Sequence, residues 1–229
     1  LGSLMDIDRD RREVIVAPLL DEDGQEIIGQ HRIRYDYLVI AVGSVSNDFG
    51  VTGVEQHCMA LESRRNADTF RSRLLNQCLK CSRRLSVDPD ADEYVRIGIV
   101  GAGATGVELA AELYNAASAL RFGLEVFDES RLKVTLIEAG PRILPALPEK
   151  LSEAAHAELE ALGVEVITDA VVSEVTETDI LTKDGKIAPA ALKVWAACVK
   201  GPAFLRNLAC LESNVRDQLV IRDTLQTTK

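Results

Sequence analysis

One stretch, residues 96–106 (RIGIVGAGATG), constrains this 229-residue chain more than any other. A short β-branched run, residues 96–100, leads straight into Gly101-Ala102-Gly103-Ala104-Thr105-Gly106. A helical pattern follows: Val107, Ala110, Ala111, Leu113 and Ala117 recur on one face. A second apolar run, residues 133–137 (KVTLI), ends at Glu138. G-x-G-x-x-G is a weak signal alone. A buried strand before it, a helix after it and a second strand ending in an acid are the context that gives it meaning. Gly101 permits the tight turn, Gly103 lets backbone approach a pyrophosphate, and Gly106 lets helix lie on strand. The helix start, with Ala104 and Thr105, offers free N–H groups and partial positive charge to phosphates.

Glu138 carries the cofactor preference. A carboxylate at the end of the second strand can accept from both hydroxyls of an adenosine ribose and repels a 2′-phosphate, which favours NADH over NADPH. It stands 32 residues after Gly106, against about 20 in the simple fingerprint; an insertion at residues 122–131, a loop or short extra element, fits the added length. Arg142 keeps an alternative open, because a nearby arginine can bind a 2′-phosphate. By position alone, Glu108 is a carboxylate in the first helical turn favoured by the helix dipole.

The expected fold is α/β: a Rossmann-like parallel sheet with a small β-meander, plus strands of a second, incomplete domain. Residues 13–17 and 29–35 read as strands around the turn at residues 21–24, with Asp23-Gly24 as the hairpin dipeptide. Residues 36–42 (DYLVIAV) read as a strand buried on both faces. A loop rich in turn formers follows at residues 44–53, then a helix over residues 61–81 with an Arg-rich outer face. The polar stretch at residues 86–93 reads as a domain boundary. Beyond Glu138, the loop at residues 139–148 holds three prolines. A helix over residues 151–162 is stopped by Gly163, and a strand follows at residues 164–168. Residues 170–175, 179–182 and 186–187 read as an antiparallel meander. Residues 191–199 (ALKVWAACV) read as a long strand, and residues 218–221 as a last one. An internal repeat is visible: a meander twice leads into an apolar run ending Ala41-Val42-Gly43 or Ala196-Ala197-Cys198. Both ends of the chain read as cut.

Other chemistry is excluded or thin. The net charge of −10 argues against nucleic-acid binding, and no apolar run approaches the ~20 residues of a membrane span. Five cysteines without framework spacing do not make a disulfide scaffold. Cys78 and Cys81 form a C-x-x-C, read as buried apolar residues at a helix end rather than a redox pair. His31, His57 and His156 lack metal-ligand spacing. There is no Tyr with Lys four residues on and no G-x-S-x-G. A cofactor site without machinery for an organic substrate implies hydride transfer to another cofactor.

Residues 95–112 (VRIGIVGAGATGVELAAE), 133–148 (KVTLIEAGPRILPALP), 35–48 (YDYLVIAVGSVSND) and the tail from Val194 together resemble the type II NADH dehydrogenases. These are single-subunit NADH:quinone oxidoreductases among the FAD-dependent pyridine nucleotide-disulfide oxidoreductases. The resemblance implies a remnant of a FAD-binding domain and linker helix over residues 1–85, an NAD(H)-binding domain over 86–200, and a return segment over 201–229. It implies that Gly101, Gly103, Ala104, Thr105, Gly106, Glu138, Ala139, Arg142, Ala197 and Cys198 belong to the NADH site. Glu108 becomes a candidate catalytic residue near flavin and nicotinamide. Ala41, Val42 and Gly43 match the Ala-x-Gly that passes FAD, and Cys198 stands where the family usually has Gly. The first glycine-rich loop, which cradles the FAD pyrophosphate, is absent from the sequence.

In the intact parent, NADH would reduce FAD and FAD would reduce quinone. The parent is expected to be peripheral on the cytoplasmic face of a bacterial inner membrane, touching it through C-terminal segments, with a homodimer as one option; the fragment is expected to be soluble and inactive alone. Two alternatives stand beside this: another FAD/NAD(P)H reductase passing electrons to ferredoxin, a disulfide or oxygen, and an NADH-sensing module without chemistry.

Overall fold

The computed structural model describes residues 2–120, 127 and 129–228. Two compact units emerge, Leu1–Val45 with Val199–Lys229, and Ser46–Cys198.

The first unit opens with β1 (Leu4–Asp8), β2 (Glu13–Val16), β3 (Leu19–Leu20), β4 (Glu26–Ile28) and β5 (His31–Arg34). β1, β2 and β5 form an antiparallel sheet, with Val14 opposite both Ile7 and Ile33. The expected strands, β2 and β5, pair with each other, and the short strands β3 and β4, which the sequence pattern did not mark, pair across the expected turn at residues 21–24. Asp21 closes it: its Oδ1 accepts the N–H groups of Asp23 (2.9 Å) and Gln25 (2.8 Å), while Gly24 takes a positive φ of 80°. Residues 36–42 depart from expectation. They form no strand, and Tyr37 and Val39 are 95% and 85% exposed. A run can be apolar enough for a two-sided burial and still lack neighbours; no ladder partner lies beside it among the described residues.

The second unit follows the two-residue strand β6 (Val45–Ser46) and contains α1 (Val54–His57), α2 (Arg64–Val87), β7 (Val95–Val100), α3 (Ala104–Leu120), β8 (Leu132–Ile137), α4 (Glu149–Leu162), β9 (Glu165–Ile167), β10 (Val172–Val175), β11 (Asp179–Thr182), β12 (Ile187–Pro189) and β13 (Leu192–Trp195). Its centre is a parallel sheet in the order β13-β7-β8-β9. The pleat divides each strand between two cores. Val95, Ile97 and Ile99 face one way with Leu132, Val134, Leu136, Leu192 and Val194, against α2, α3 and α4. Val100, Ile137 and Trp195 face the other way, against the antiparallel sheet β10-β11-β12. The expected α/β architecture with its meander is present.

α2 runs to Val87, longer than its sequence pattern. Ser63 caps it by accepting the Asn66 N–H at 3.2 Å. The sequence sets α2 ahead of a boundary near Ser86, but Phe70, Leu74, Cys78, Cys81 and Leu85 sit in the same core as β7 and β8. That burial, not composition, binds α2 into this unit. β13 is shorter than its apolar run: Ala196 still donates to Val100 O at 2.7 Å, but Cys198 turns the backbone with φ 49°. The expected insertion at residues 122–131 lies largely outside the described residues; its end, Glu129–Arg131, is a 3-10 turn.

The first unit resumes with β14 (Val199–Lys200) and a 3-10 segment, Ala203–Cys210, that the sequence reading missed. Leu205 and Leu208 of that segment pack with Ile7 of β1. Residues 218–221 make only isolated bridges, Leu219 with Ser213 and Ile221 with Thr227. The segment is instead held by the Arg206–Asp217 pair (2.8 and 3.0 Å) and by Gly201 N–H donating to Arg216 O at 2.7 Å.

Candidate dinucleotide site

β7 continues through α3 to β8 on one side, while β13 lies on its other side. The strand order therefore reverses between β7 and β13, and a crevice opens beyond the carboxyl ends of such strands. The residues after both strands meet there. A Cβ on Gly101 (φ 101°) would stand 2.6 Å from the Ala197 Cα and N, so no side chain fits between the glycine turn and the end of β13. A Cβ on Gly106 would overlap the Gly101 carbonyl oxygen; the helix starts against the loop that leads into it. A Cβ on Gly103 would meet nothing within 4 Å. Gly103 borders open space, where a ligand backbone can approach. Its carbonyl accepts Val107 N–H at 3.1 Å, opening the helical ladder. Ala104 and Thr105 are exposed at the helix start, where the first N–H groups lack intrahelical acceptors.

Glu138 closes the loop from the neighbouring strand. Its Oε2 accepts the Ala102 N–H at 2.8 Å and its Oε1 accepts the Gly140 N–H at 2.8 Å. Its own N–H donates to Ile167 O of β9 at 2.8 Å. The carboxylate is half-buried, so it is aimed by backbone donors and still reachable by hydroxyls.

Arg142 differs from the sequence alternative. Its Nη1 donates to Leu144 O (3.3 Å) and Leu147 O (3.0 Å), and its Nη2 to Pro145 O (2.8 Å). The guanidinium is engaged with its own loop. Glu108 also differs from its expected setting. Helix α3 begins at Ala104, its first turn carries no acid, and Glu108 is an exposed residue of the second turn; the N-terminal dipole argument weakens accordingly. Ala139 is exposed between Glu138 and Gly140. Cys198 is exposed and left-handed, a conformation that favours glycine. Its carbonyl accepts Asn47 N–H at 3.2 Å, and Asn47 O accepts the Trp195 indole N–H at 2.8 Å. Asn47 was not singled out in the sequence; only a loop adjoining the end of β13 could have pointed to it.

Cys78 and Cys81 are buried in the helix-side core. Burial, with Cys81 beside it, pushes the Cys78 thiol up to about 11, and burial raises Cys81 as well. A redox dithiol needs accessible, lowered thiols, so the apolar reading of this pair holds. In the first unit, Ala41, Val42 and Gly43 line a cavity of about 1050 Å³ together with Arg9, Leu205 and Leu219. No metal-binding group of His, Cys, Asp or Glu exists among the described residues. No helix among them is long and apolar enough to cross a membrane.

A strand–glycine-loop–helix unit with an acid on the next strand, beside an antiparallel meander, defines an α/β protein of the Rossmann type. The family profile of the pyridine nucleotide-disulphide oxidoreductases matches residues 1–229, and the chain belongs to that family. It is 44% identical to the type II NADH:quinone oxidoreductase of Haemophilus influenzae, over 99% of this chain and 54% of that protein. It is 31% identical to the type II NADH:quinone oxidoreductase Ndh of Mycobacterium tuberculosis, over 80% of this chain and 41% of that one. The chain thus spans about half the length, or less, of these curated relatives. The fold is shared with NDH2 of Plasmodium falciparum in complex with NADH (TM-score 0.75, 21% identity, 96% of this chain and 44% of that one). It is also shared with a ferredoxin reductase of Rhodopseudomonas palustris (TM-score 0.71, 19% identity, 99% and 47%).

Proposed function

We propose that this chain is the NADH-binding portion of a FAD-dependent NADH:quinone oxidoreductase. In the intact protein, hydride would pass from NADH to FAD, and electrons from FAD to quinone. The carrying observation is the bond from Ala102 N–H to Glu138 Oε2, which sets a carboxylate at the mouth of the glycine loop. The relatives' names supply the acceptor, and the 44% identity to the Haemophilus influenzae protein favours quinone.

Each residue then has a task. Gly103 leaves room for the pyrophosphate, and the N–H groups at Ala104 and Thr105 face its charge. Gly101 and Gly106 bring loop, helix and strand ends together. Glu138, with the adjoining Ala139 backbone, takes the ribose hydroxyls and repels a 2′-phosphate. Ala197 and Cys198 border the crevice at the end of β13, and Glu108 lies one turn inside α3 as the candidate catalytic residue beside the nicotinamide.

The first unit suits a large nucleotide cofactor in part. Its cavity has the volume such sites use, and Gly43 (φ 75°) leaves open space where a Cβ would stand. The sequence holds a single G-x-G-x-x-G, at residues 101–106, so a loop for the FAD pyrophosphate would lie in the part of the relatives' length that this chain does not span. Ala41, Val42 and Gly43 would hold one side of FAD. When bound, FAD supplies two-electron acceptance from a hydride donor and electron delivery to a quinone. A homodimer and a parent peripheral on the cytoplasmic face of the inner membrane belong to the same proposal.

The test is a calorimetric titration of this chain with NADH and with NADPH, wild type beside Glu138→Ala. Binding of NADH alone, lost in the variant, supports the reading. Binding of neither by the wild type overturns it for this chain. A protein extended to the relatives' length would then be assayed with quinone, ferredoxin, a disulfide and oxygen; preference for a non-quinone acceptor overturns the assignment of quinone.

A further inference from the structure

Arg142 is the only cation between Glu138 and Pro148. Its fork of donors reaches three carbonyls of the residues that follow it, at 2.8 to 3.3 Å. The chain is thereby coiled around its guanidinium. At the middle of that coil stands Leu144, with φ 47°, a conformation that branched residues adopt only when their surroundings over-determine it. The coil delivers the Leu144 N–H to the Ala102 carbonyl at 2.8 Å. Ala102 is therefore held from both sides: its N–H by Glu138 and its C=O by Leu144. Ile143, between them, is fully buried, and its carbonyl accepts the hydroxyl of buried Ser152 of α4 at 2.6 Å.

We propose that Arg142 is a positioning residue for the dinucleotide site and not a phosphate ligand. By coiling residues 142–147 it fixes Leu144 on Ala102 and so holds the glycine loop in the form that meets the ligand. This rests on the glycine loop being the NADH site. A planar guanidinium can serve several carbonyls at once, whereas a lysine ammonium is a point charge on a flexible stem. The charge alone is not what the loop requires. Three of the five guanidinium donors of Arg142, both on Nη1 and one on Nη2, are spent on its own loop, which leaves Glu138 as the charged group facing a ribose.

The test compares wild type, Arg142→Lys and Arg142→Ala, each checked for a cooperative thermal transition. Backbone hydrogen exchange at Leu144 and Ala102 is measured without ligand, and calorimetric titrations use NADH and NADPH. Both variants should exchange faster at Leu144 and Ala102, and both should bind NADH about tenfold or more weakly, as a misplaced binding element does. Millimolar guanidinium chloride should restore part of the loss in Arg142→Ala but not in the wild type. Unchanged exchange at both amides overturns the loop-holding role, whatever the ligand does. Full NADH affinity in Arg142→Lys, or a loss in Arg142→Ala confined to NADPH, makes Arg142 a charge partner of the ligand and overturns the proposal. Faster exchange with no NADH binding by any protein, wild type included, overturns the site reading on which the ligand half depends, while leaving the loop-holding half standing. If Arg142→Ala does not fold, Arg142→Lys carries the same arms.

Discussion

Glu138 Oε2 accepts the Ala102 N–H at 2.8 Å, so the acid at the end of one parallel strand is bonded to the loop at the end of its neighbour. The second oxygen accepts Gly140 N–H. Removing the carboxylate leaves two backbone donors without it, and hydrogen bonds to charged groups contribute about 1.5–3 kcal/mol each when buried. Glu138→Ala should lower stability by about 1–3 kcal/mol, less than the full sum because the group is half-exposed, and weaken NADH binding by at least about tenfold. Glu138→Gln should not be neutral: an amide offers one acceptor oxygen, and its NH2 would face the second backbone donor. Denaturant melts, with the quenching of buried Trp195 by NADH as the binding signal, check both.

Gly106 and Gly103 separate folding from binding. A Cβ at Gly106 overlaps the Gly101 carbonyl, and one at Gly103 meets nothing within 4 Å. Gly106→Ala should destabilise by about 2–3 kcal/mol through overpacking. Gly103→Ala should stay within about 0.5 kcal/mol of wild type yet lose NADH affinity, because its methyl takes the space a pyrophosphate uses. Equal stability losses in the two variants would contradict this division.

The thiols should react in an order set by burial. Cys198 and Cys210 are exposed, Cys58 is half-buried, and Cys78 and Cys81 are buried. Burial pushes Cys58 and Cys78 each up to about 11, which leaves about a hundredth of the ordinary thiolate near pH 8. Alkylation of the native protein, read by mass spectrometry, should label Cys198 and Cys210 first, and Cys78 and Cys81 only with unfolding. Early labelling of Cys78 would reopen a redox role for the C-x-x-C.

Asp217 links the first unit to acid. The Arg206 guanidinium beside it holds its carboxyl below the usual carboxylate value. A lowered folded value means the contribution is fully present above the unfolded value, about 3.9, and is lost as pH falls through the folded one. Asp217→Asn should lower stability at pH 7 and flatten its loss below pH 4, because both states of the variant bind the same protons at this position. Denaturant midpoints at pH 7 and pH 3 test it; parallel pH profiles for wild type and variant would count against the pair.

The local features were legible because short-range rules set them. Asp21 and Gly24 made their hairpin, Gly163 (φ 96°) stopped α4, and the strand, glycine loop, helix and acid at residues 95–138 stand in the order their pattern required. Residues 36–42 show where such reading ends. Apolar character says that a segment can be buried, not that neighbours exist to bury it. The same holds for residues 203–210, whose 3-10 form depends on packing against β1.

By itself the sequence determined which backbone can turn tightly, which strand precedes which helix, and that an acid follows the second strand. Only the tertiary structure decided what those groups touch. The strand order β13-β7-β8-β9 brings Ala197 against Gly101 and Glu138 onto Ala102, and the coil of residues 142–147 sets the Arg142 guanidinium on the carbonyls of Leu144, Pro145 and Leu147. A glycine's permitted φ and a helix's first free N–H are properties of a few neighbouring residues. A hydrogen bond across 36 positions exists only once parallel strands have chosen their neighbours, and that choice depends on the packing of the whole core.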